Sequence, residues 1–363
     1  MNAPQNLPAG INFIFHTIAR GGGMERAVTD MIAGFARKGV PVRGIAMRTD
    51  ASVFPSELRD RVELIRVPAR FPYLFSQRFA NWDFEERAAG FCRAGWKTIS
   101  VSRVPVPVDM AISGGTHFAH LMKKGQKKPS FTDKLVLAHE AALYARAKVC
   151  VAHSRMTREE ILALKVAAPE KVVCLFPPAD TERFNLAARE NRERLRAEWG
   201  VPADKFVLLF PSNDHERKGL KLILDALDAA DFPEAVLAVA SRRAVNHPKT
   251  LNIGYRTDME KCYAAADATV LASRYEPFGL VGVESILCGT PALLSEACGA
   301  TQALAEPGCL KFSLSVESLV GQLRRARERF LAGTLPLAAP EASIRYAYSL
   351  DAHTGELLKL LGG

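Results

Sequence analysis

Two glutamates, Glu276 and Glu284, stand eight positions apart in SRYEPFGLVGVESILCG, residues 273–289. Leu280, Val283 and Leu287 recur at helical spacing, so Glu276 belongs to a loop and Glu284 to the flank of a buried helix stripe. A carboxylate left unpaired there would cost several kcal/mol, on the order of an unsatisfied buried polar group. A vicinal diol such as ribose is one suitable partner, and a neighbouring Arg or Lys, making a structural ion pair, is another. Gly279 and Gly282 let the backbone approach a ligand at the helix N-terminus. Arg217-Lys218-Gly219 follows the apolar run FVLLF and the polar loop PSNDHE, and opens the helix expected at residues 220–227. Two cations at a helix start oppose its dipole, which suits an anion such as a diphosphate; a solvated pair is the plainer reading.

Gly21-Gly22-Gly23 separates the run INFIF from a helix whose Met24, Ala27, Val28, Met31, Ile32 and Phe35 share one face, stopped by Gly39. Amides of such a turn can hold phosphate, and a turn without a ligand is as compatible with the residues. The turn is not GxGxxG, because position 26 is Arg, and it lacks the Lys-Ser/Thr of a P-loop. That spacing speaks against an NAD-dependent oxidoreductase, which would rest on this turn and on Asp50. His117 follows a strand and a Gly-Gly turn, where a satisfied structural histidine is the default. With His120 three positions on and no third ligand nearby, no metal site is expected. Arg103, at a strand end, suits either an acceptor phosphate or an ordinary ion pair.

These residues need elements to carry them, and 363 residues at 39.7 kDa suit two domains better than one core. Strands are expected at residues 11–15, 42–46, 62–67, 98–102, 109–112 and 148–152, with helices at 132–147 and 154–166. A second series at 206–210, 235–240, 250–254, 268–272 and 291–295 also alternates with helical patterns. The expected fold class is α/β: two Rossmann-like, doubly wound parallel-sheet domains with a ligand cleft between them, at the carboxyl ends of the strands. The expected boundaries are 1–185, 186–340 and a helical segment 341–363 that packs back toward the N-terminal domain.

Composition excludes several classes. A hydrophobic fraction of 48% with 24% charged residues is that of an ordinary globular chain. No apolar run approaches the roughly 18 residues of a spanning helix. MNAPQNLPAG has neither the basic nor the apolar region of a signal peptide. Seven cysteines without a CxxC read as free thiols of a reducing compartment. Residues 1–190 hold 28 Lys and Arg against 18 Asp and Glu, while residues 191–363 hold 20 against 21, so the net charge of +9 sits in the first half. Lys123, Lys124, Lys127 and Lys128 crowd LMKKGQKKPSF, as a solvated loop or as a surface for something anionic. No zinc knuckle, RNP-like string or helix-turn-helix accompanies the charge, so nucleic acid is not expected.

The string EPFGLV-x-VE-x4-GTP resembles the retaining glycosyltransferases of family 4, which have the GT-B fold. The resemblance covers most of the chain. RKG at 217–219, DMEKCYAAADATVLAS at 258–273, PPADTERFN at 177–185 and GGGMERAV at 21–28 are similar to that family's segments. Ala179 replaces a usual Gly, a departure that touches the hinge more than the chemistry. Within the family, the order strand, Arg103, VPVPVD, strand, GGTHF, basic stretch, helix and VCVAHSRMTREEI is similar to bacterial lipopolysaccharide inner-core glycosyltransferases. In those proteins a basic and aromatic segment lies against the inner membrane, which implies residues 116–144 here.

The resemblance implies a nucleotide-sugar donor, UDP favoured over GDP, held by the C-terminal domain. It also implies an anionic saccharide or lipid-linked acceptor held by the N-terminal domain. Arg217 and Lys218 would neutralise the leaving phosphate, and amides of Phe278, Gly279 and Leu280 and of Gly22 and Gly23 would grip it. Glu284 would hold the ribose, Glu276 the donor sugar, and the backbone around Gly254 and Arg256 the base. His117 would touch the donor sugar and, with Arg103, the acceptor. Same-face transfer needs no metal and no cofactor. The implied location is cytoplasmic, peripheral to the inner face of the membrane through the four lysines. The alternatives are a GT-B-like sugar-nucleotide epimerase or hydrolase, and a non-catalytic membrane-peripheral binding protein.

Overall fold

The computed structural model describes residues 7–123, 128–202 and 204–362. The chain forms two compact units, Met1–Pro178 with Ala347–Gly363, and Ala179–Tyr346.

Seven parallel strands build the first unit: β1 (Ile11–Ile14), β2 (Val42–Ala46), β3 (Val62–Arg66), β4 (Lys97–Ser100), β5 (Met110–Ser113), β6 (Val149–Ala152) and β7 (Val172–Cys174). Their spatial order is β3-β2-β1-β4-β5-β6-β7. Ile11 lies opposite Val42 on one side and Lys97 on the other. Successive side chains of β1 serve opposite faces, as the pleat requires. Phe13 joins a core with Val28, Met31 and Phe35 of α1 (Gly23–Arg37), and Ile14 joins one with Phe84 and Leu143. Phe84 belongs to α2 (Gln77–Arg87) and Leu143 to α4 (Phe131–Arg146); between these runs the short α3 (His117–Lys123), and α5 (Arg155–Ala163) follows. Because helices cover both faces, the strands are mostly apolar, the pattern that made them visible in the sequence, although β3 carries Glu63 and Arg66 and β4 carries Lys97.

The second unit repeats the plan with β8 (Phe206–Pro211), β9 (Ala235–Ala240), β10 (Thr250–Gly254), β11 (Ala268–Leu271), β12 (Ala292–Ser295) and β13 (Cys309–Phe312). Its order is β10-β9-β8-β11-β12-β13, again parallel. Helices α6 (Arg192–Glu198), α7 (Leu220–Ala229), α8 (Met259–Ala265), α9 (Leu280–Leu287) and α10 (Val316–Leu331) connect or flank these strands. In order of appearance the second sheet runs 3-2-1-4-5-6 and the first runs the same way with a seventh strand added at one edge, the doubly wound arrangement whose winding reverses between the first and fourth strands.

The units divide after Pro178 and Tyr346 rather than at 185 and 340. Residues beyond Pro178 are fastened to α8: Arg183 donates to Glu260 at 2.8 Å, and the Phe184 and Tyr263 rings lie 6.0 Å apart. At the other boundary Ala305 N–H donates to Ser343 and Arg345 N–H to Ala303. The final helix, α11 (Leu350–Leu360), belongs to the first unit. Gly34 of α1 makes room for it, since a Cβ there would stand 2.3 Å from Thr354 Oγ1.

His353 on α11 donates through Nδ1 to the Phe176 carbonyl at 3.1 Å and meets the buried His153 ring edge-on at 6.1 Å. Burial pushes His153 down to about 3 and His353 to about 4. Below about 6.5 the unfolded chain takes up protons that the folded interior refuses, so stability is full above that pH and falls as pH drops. Urea midpoints are expected to decline from pH 7 to pH 4.5, and His353→Gln to flatten the decline; a midpoint indifferent to pH would contradict this account.

Candidate active site

In the second unit, the loop after β8 (residues 212–219) and the loop after β11 (residues 272–279) leave neighbouring parallel strands where the winding reverses. Arg217 crosses from one to the other. Its Nη1 donates to Glu276 Oε2 at 2.9 Å and to the Tyr275 carbonyl at 3.1 Å, while Arg274 N–H donates to the Arg217 carbonyl. Gly219 takes φ 74°, and a Cβ there would lie 2.1 Å from the Ala272 oxygen, so only glycine lets the loops close this tightly. The half-buried Lys218 ammonium donates to the Pro211 carbonyl at 2.9 Å. Burial lowers its pKa against the opposing charge of Glu276, and a further anion beside it would favour the charged form.

The loop after β11 is pinned by residues that the sequence did not single out. Glu276 N–H donates to Ala297, Gly299 N–H to the Glu276 carbonyl, and Ala300 N–H to Phe278 at 2.7 Å. Gly279, at φ 91°, passes so close to Cys298 that a Cβ would stand 2.6 Å from its sulfur. Leu280 then opens α9, so the amides of 278–280 lie at a helix N-terminus. One turn on, Glu284 is 4% exposed and accepts the Tyr263 hydroxyl through Oε2 at 2.9 Å. Tyr263 comes from α8, a partner invisible in the sequence because only the fold brings α8 beside α9.

Gly254 ends β10, at the edge of this sheet, and Arg256 follows it. The Gly254 carbonyl accepts Ser241 N–H at 2.9 Å. The Arg256 guanidinium is fastened to Asp258 at 2.8 and 2.9 Å and to Glu198 at 3.1 Å, and these hydrogen bonds raise its pKa. Between this edge and the Arg217 loop lies a cavity of about 350 Å³ lined by Asn213, Ser241, Arg242 and Arg243. Arg242 stacks over Tyr255 at 4.5 Å. These residues follow strand ends in the sequence, and that position is the only signal that could have marked them.

In the first unit, Arg103 and His117 are brought together. Arg103 Nε donates to Glu140 Oε1 at 3.3 Å, and the same buried carboxylate accepts His117 and Phe118 N–H at 2.7 and 3.1 Å. His117 Nε2 bonds Asp133 at 3.0 Å. Both residues line a cavity of about 160 Å³ with Arg78, Asn81, Trp82 and Glu85 of α2. Burial would raise Glu85, but hydrogen bonds from His139 and His16 and the nearby Arg103 charge hold it down to about 2. His139 is raised in turn: burial opposes its charge, and Glu85 and Glu86 outweigh burial. Helix α2 was not foreseen, so its contribution was missed.

Gly22 caps α1 with its backbone, and the Glu25 side chain lies against Gly21 and Gly22. Of the lysine cluster, Lys123 closes α3 and Lys128 is exposed; Lys124 and Lys127 lie outside the described residues. All seven cysteines are free thiols. Among the described residues no three His, Cys, Asp or Glu side chains converge as a metal-binding set, and no helix is long and apolar enough to cross a membrane.

Three comparisons place this geometry among known proteins. The family model described as "Glycosyl transferases group 1" matches residues 191–328. A probable transglycosylase of Burkholderia thailandensis is 39% identical over 346 residues, covering 94% of this chain and 93% of the relative. Among solved structures, WaaG, a glycosyltransferase involved in lipopolysaccharide biosynthesis, superposes with a TM-score of 0.74 at 18% identity, over 97% of this chain and 100% of that one. HepE of Anabaena, solved in complex with UDP and glucose, gives 0.72 at 16% identity, over 98% and 100%.

Proposed function

This chain belongs to the group 1 glycosyl transferases, with two Rossmann-like domains of the GT-B kind, and we propose that it is a retaining, family 4 enzyme using a UDP-sugar donor. The observation that carries the reading is the Arg217–Glu276 pair at the winding reversal of the second sheet, with Glu284 buried one helix turn beyond the loop. HepE is a structural neighbour solved with UDP and glucose, which favours UDP over GDP.

In this reading the donor's diphosphate lies against Arg217, Lys218 and the amides of Phe278, Gly279 and Leu280. Glu284 accepts the ribose hydroxyls and Glu276 those of the donor sugar. The base lies toward the 350 Å³ cavity and the backbone of Gly254 and Arg256. In the first unit, Gly22 and Gly23 serve as a phosphate-binding turn, and Arg103 and His117 meet the acceptor. The bond from the anomeric carbon to the β-phosphate oxygen breaks as the acceptor oxygen bonds that carbon on the same face. The acceptor proton passes to the departing phosphate oxygen. Charge on that phosphate grows in the transition state, so cations fixed beside it accelerate the step itself. No metal or cofactor enters this scheme.

The test is thermal unfolding of the full chain with UDP, GDP, ADP and NAD. A ligand at 100 times its Kd adds about 2.7 kcal/mol, a readily measured rise in midpoint. A rise with UDP alone supports the reading; a rise with NAD alone, or with none of the four, overturns it.

The proposed acceptor is an anionic saccharide, lipid-linked or of lipopolysaccharide-core type, met on the cytoplasmic face of the inner membrane. Phe71, Phe75 and Phe131 are 76%, 83% and 70% exposed. Arg78 ties their two segments together through Thr132 Oγ1 at 2.8 Å, and Arg70 stands beside Phe71. Apolar rings among arginines fit an anionic bilayer surface, to which Lys123, Lys124, Lys127 and Lys128 would add charge. Burying one Phe is worth roughly 1.5–3 kcal/mol. Phe71→Ser with Phe75→Ser is therefore expected to weaken flotation with phosphatidylglycerol vesicles at least about tenfold. Binding indifferent to these changes and to salt would remove the membrane from the reading.

A further inference from the structure

The cavity of the first unit, framed by α2, α3 and α4, carries an unassigned set of hydrogen-bond donors. Arg78 spends only Nη1, on Thr132 and Asp133, and the Arg103 guanidinium spends only Nε, on Glu140. Asn81 accepts from Gln77 through its oxygen. The terminal nitrogens of Arg103, Nη2 of Arg78 and the Asn81 amide nitrogen have no acceptor among the described residues. Asp133 and Glu140 each pair with one nitrogen of these arginines, and the neighbouring carboxylates have further donors of their own. Glu85 accepts from His16, His139 and the Arg103 amide; Glu140 accepts two amides at the start of α3; Asp133 completes a capping box with Ser130.

Trp82 forms a wall of the same cavity. Its indole is stacked on His139 at 6.1 Å and braced by the Tyr73 ring at 5.6 Å, so its orientation is set before any ligand arrives. The His139 ring is held in turn by Glu85 at 2.8 Å and Glu86 at 2.8 Å. An aromatic wall suits the apolar face of a sugar ring, and two guanidinium groups suit an oxyanion better than a neutral hydroxyl. A volume of about 160 Å³ corresponds to about five waters, enough for one such group.

We propose that this cavity binds the phosphate or carboxylate of a sugar, held by Arg78, Asn81 and Arg103 with the ring against Trp82. The inference rests on the reading that the first unit takes the acceptor, and it narrows that acceptor to a saccharide carrying a phosphate or carboxylate.

The chain has three tryptophans, Trp82, Trp96 and Trp199, so Trp82 fluorescence can be isolated by difference against W82F. The full chain is titrated with glucose 6-phosphate, glucuronate, glucose and phosphatidylglycerol vesicles. The expected result is a Trp82 response to glucose 6-phosphate or glucuronate at least about tenfold tighter than to glucose, weakened tenfold or more in R78Q and in N81L. R78K should recover part of it, and R217A should leave it unchanged. An equal response to glucose, a response that persists in W82F, or affinity unaltered in both R78Q and N81L overturns the proposal. So does a response to vesicles without one to the soluble sugars, which would assign the cavity to a lipid headgroup. UDP stabilisation without a Trp82 response overturns this inference and leaves the donor site standing; a Trp82 response without UDP stabilisation does the reverse.

Discussion

Arg217→Ala is expected to lower kcat for sugar transfer by about 10²–10³-fold, the range seen when one preorganised donor is removed from a developing oxyanion. The measurement is UDP release from a UDP-sugar with acceptor present, alongside UDP affinity. The affinity is expected to change far less than kcat, because the charge that Arg217 opposes is largest at the transition state. A complication is built into the site. Arg217 also holds Glu276 at 2.9 Å, so the alanine variant leaves a carboxylate without its cation beside the proposed phosphate position. Lowered kcat could then report repulsion rather than lost attraction. The double variant Arg217→Ala with Glu276→Ala separates the two, since its coupling energy isolates the pair. If Glu276 acts only as the tether of Arg217, the double variant recovers activity. If Glu276 also grips the donor sugar, the double variant falls further. Unaltered kcat in Arg217→Ala would remove the phosphate role outright.

Glu284→Ala is expected to weaken UDP binding by about 10–100-fold, as each hydrogen bond to a charged group is worth roughly 1.5–3 kcal/mol. The structure supplies the control. Tyr263 donates to the same carboxylate, so a loss of affinity could come from a displaced tyrosine rather than from a lost ribose contact. Tyr263→Phe removes that hydroxyl while leaving the carboxylate in place, and is expected to cost at most a few-fold in affinity. Glu284→Gln keeps an acceptor for Tyr263 and accepts from one ribose hydroxyl instead of two, so it should fall between wild type and alanine. Calorimetric titration with UDP and with uridine, which shares the ribose and lacks the phosphates, checks the assignment. Equal losses for both ligands support the ribose contact. Loss for UDP alone would remove the ribose contact from Glu284.

The sequence alone determined the layered α/β plan, because strands covered on both faces are mostly apolar and alternate with helices that bury one face. All eleven strand expectations lie within two residues of observed strands, from β1 at Ile11–Ile14 to β12 at Ala292–Ser295. The largest difference is at residues 98–102, where the strand runs from Lys97 to Ser100 and ends two residues early. In the two main sheets the strands that were missed, β7 and β13, are runs of three and four residues at sheet edges, too short to carry a period; the two-residue pair Thr17–Ile18 and Arg48–Thr49 was missed for the same reason. The Glu276, Glu284 and Arg217-Lys218 signals were legible for a similar local reason: charge beside glycine at the start of an apolar helix is unfavourable unless something meets it.

Tertiary structure decided everything that depends on which strands become neighbours. Arg217 and Glu276 are 59 residues apart, and they meet because β8 and β11 lie side by side where the winding reverses. Tyr263 reaches Glu284 from another helix, and α11 returns to the first unit through a gap that Gly34 leaves in α1. Helix α2 escaped notice because Phe79, Trp82 and Phe84 do not repeat as a single stripe; it is held by partners distant in sequence, Asp83 by Arg70 and Glu85 by His16 and His139. A periodic pattern records burial against a layer, and burial is local to each element. Pairing of charges across elements is set by strand order and loop closure, which no short window of sequence contains.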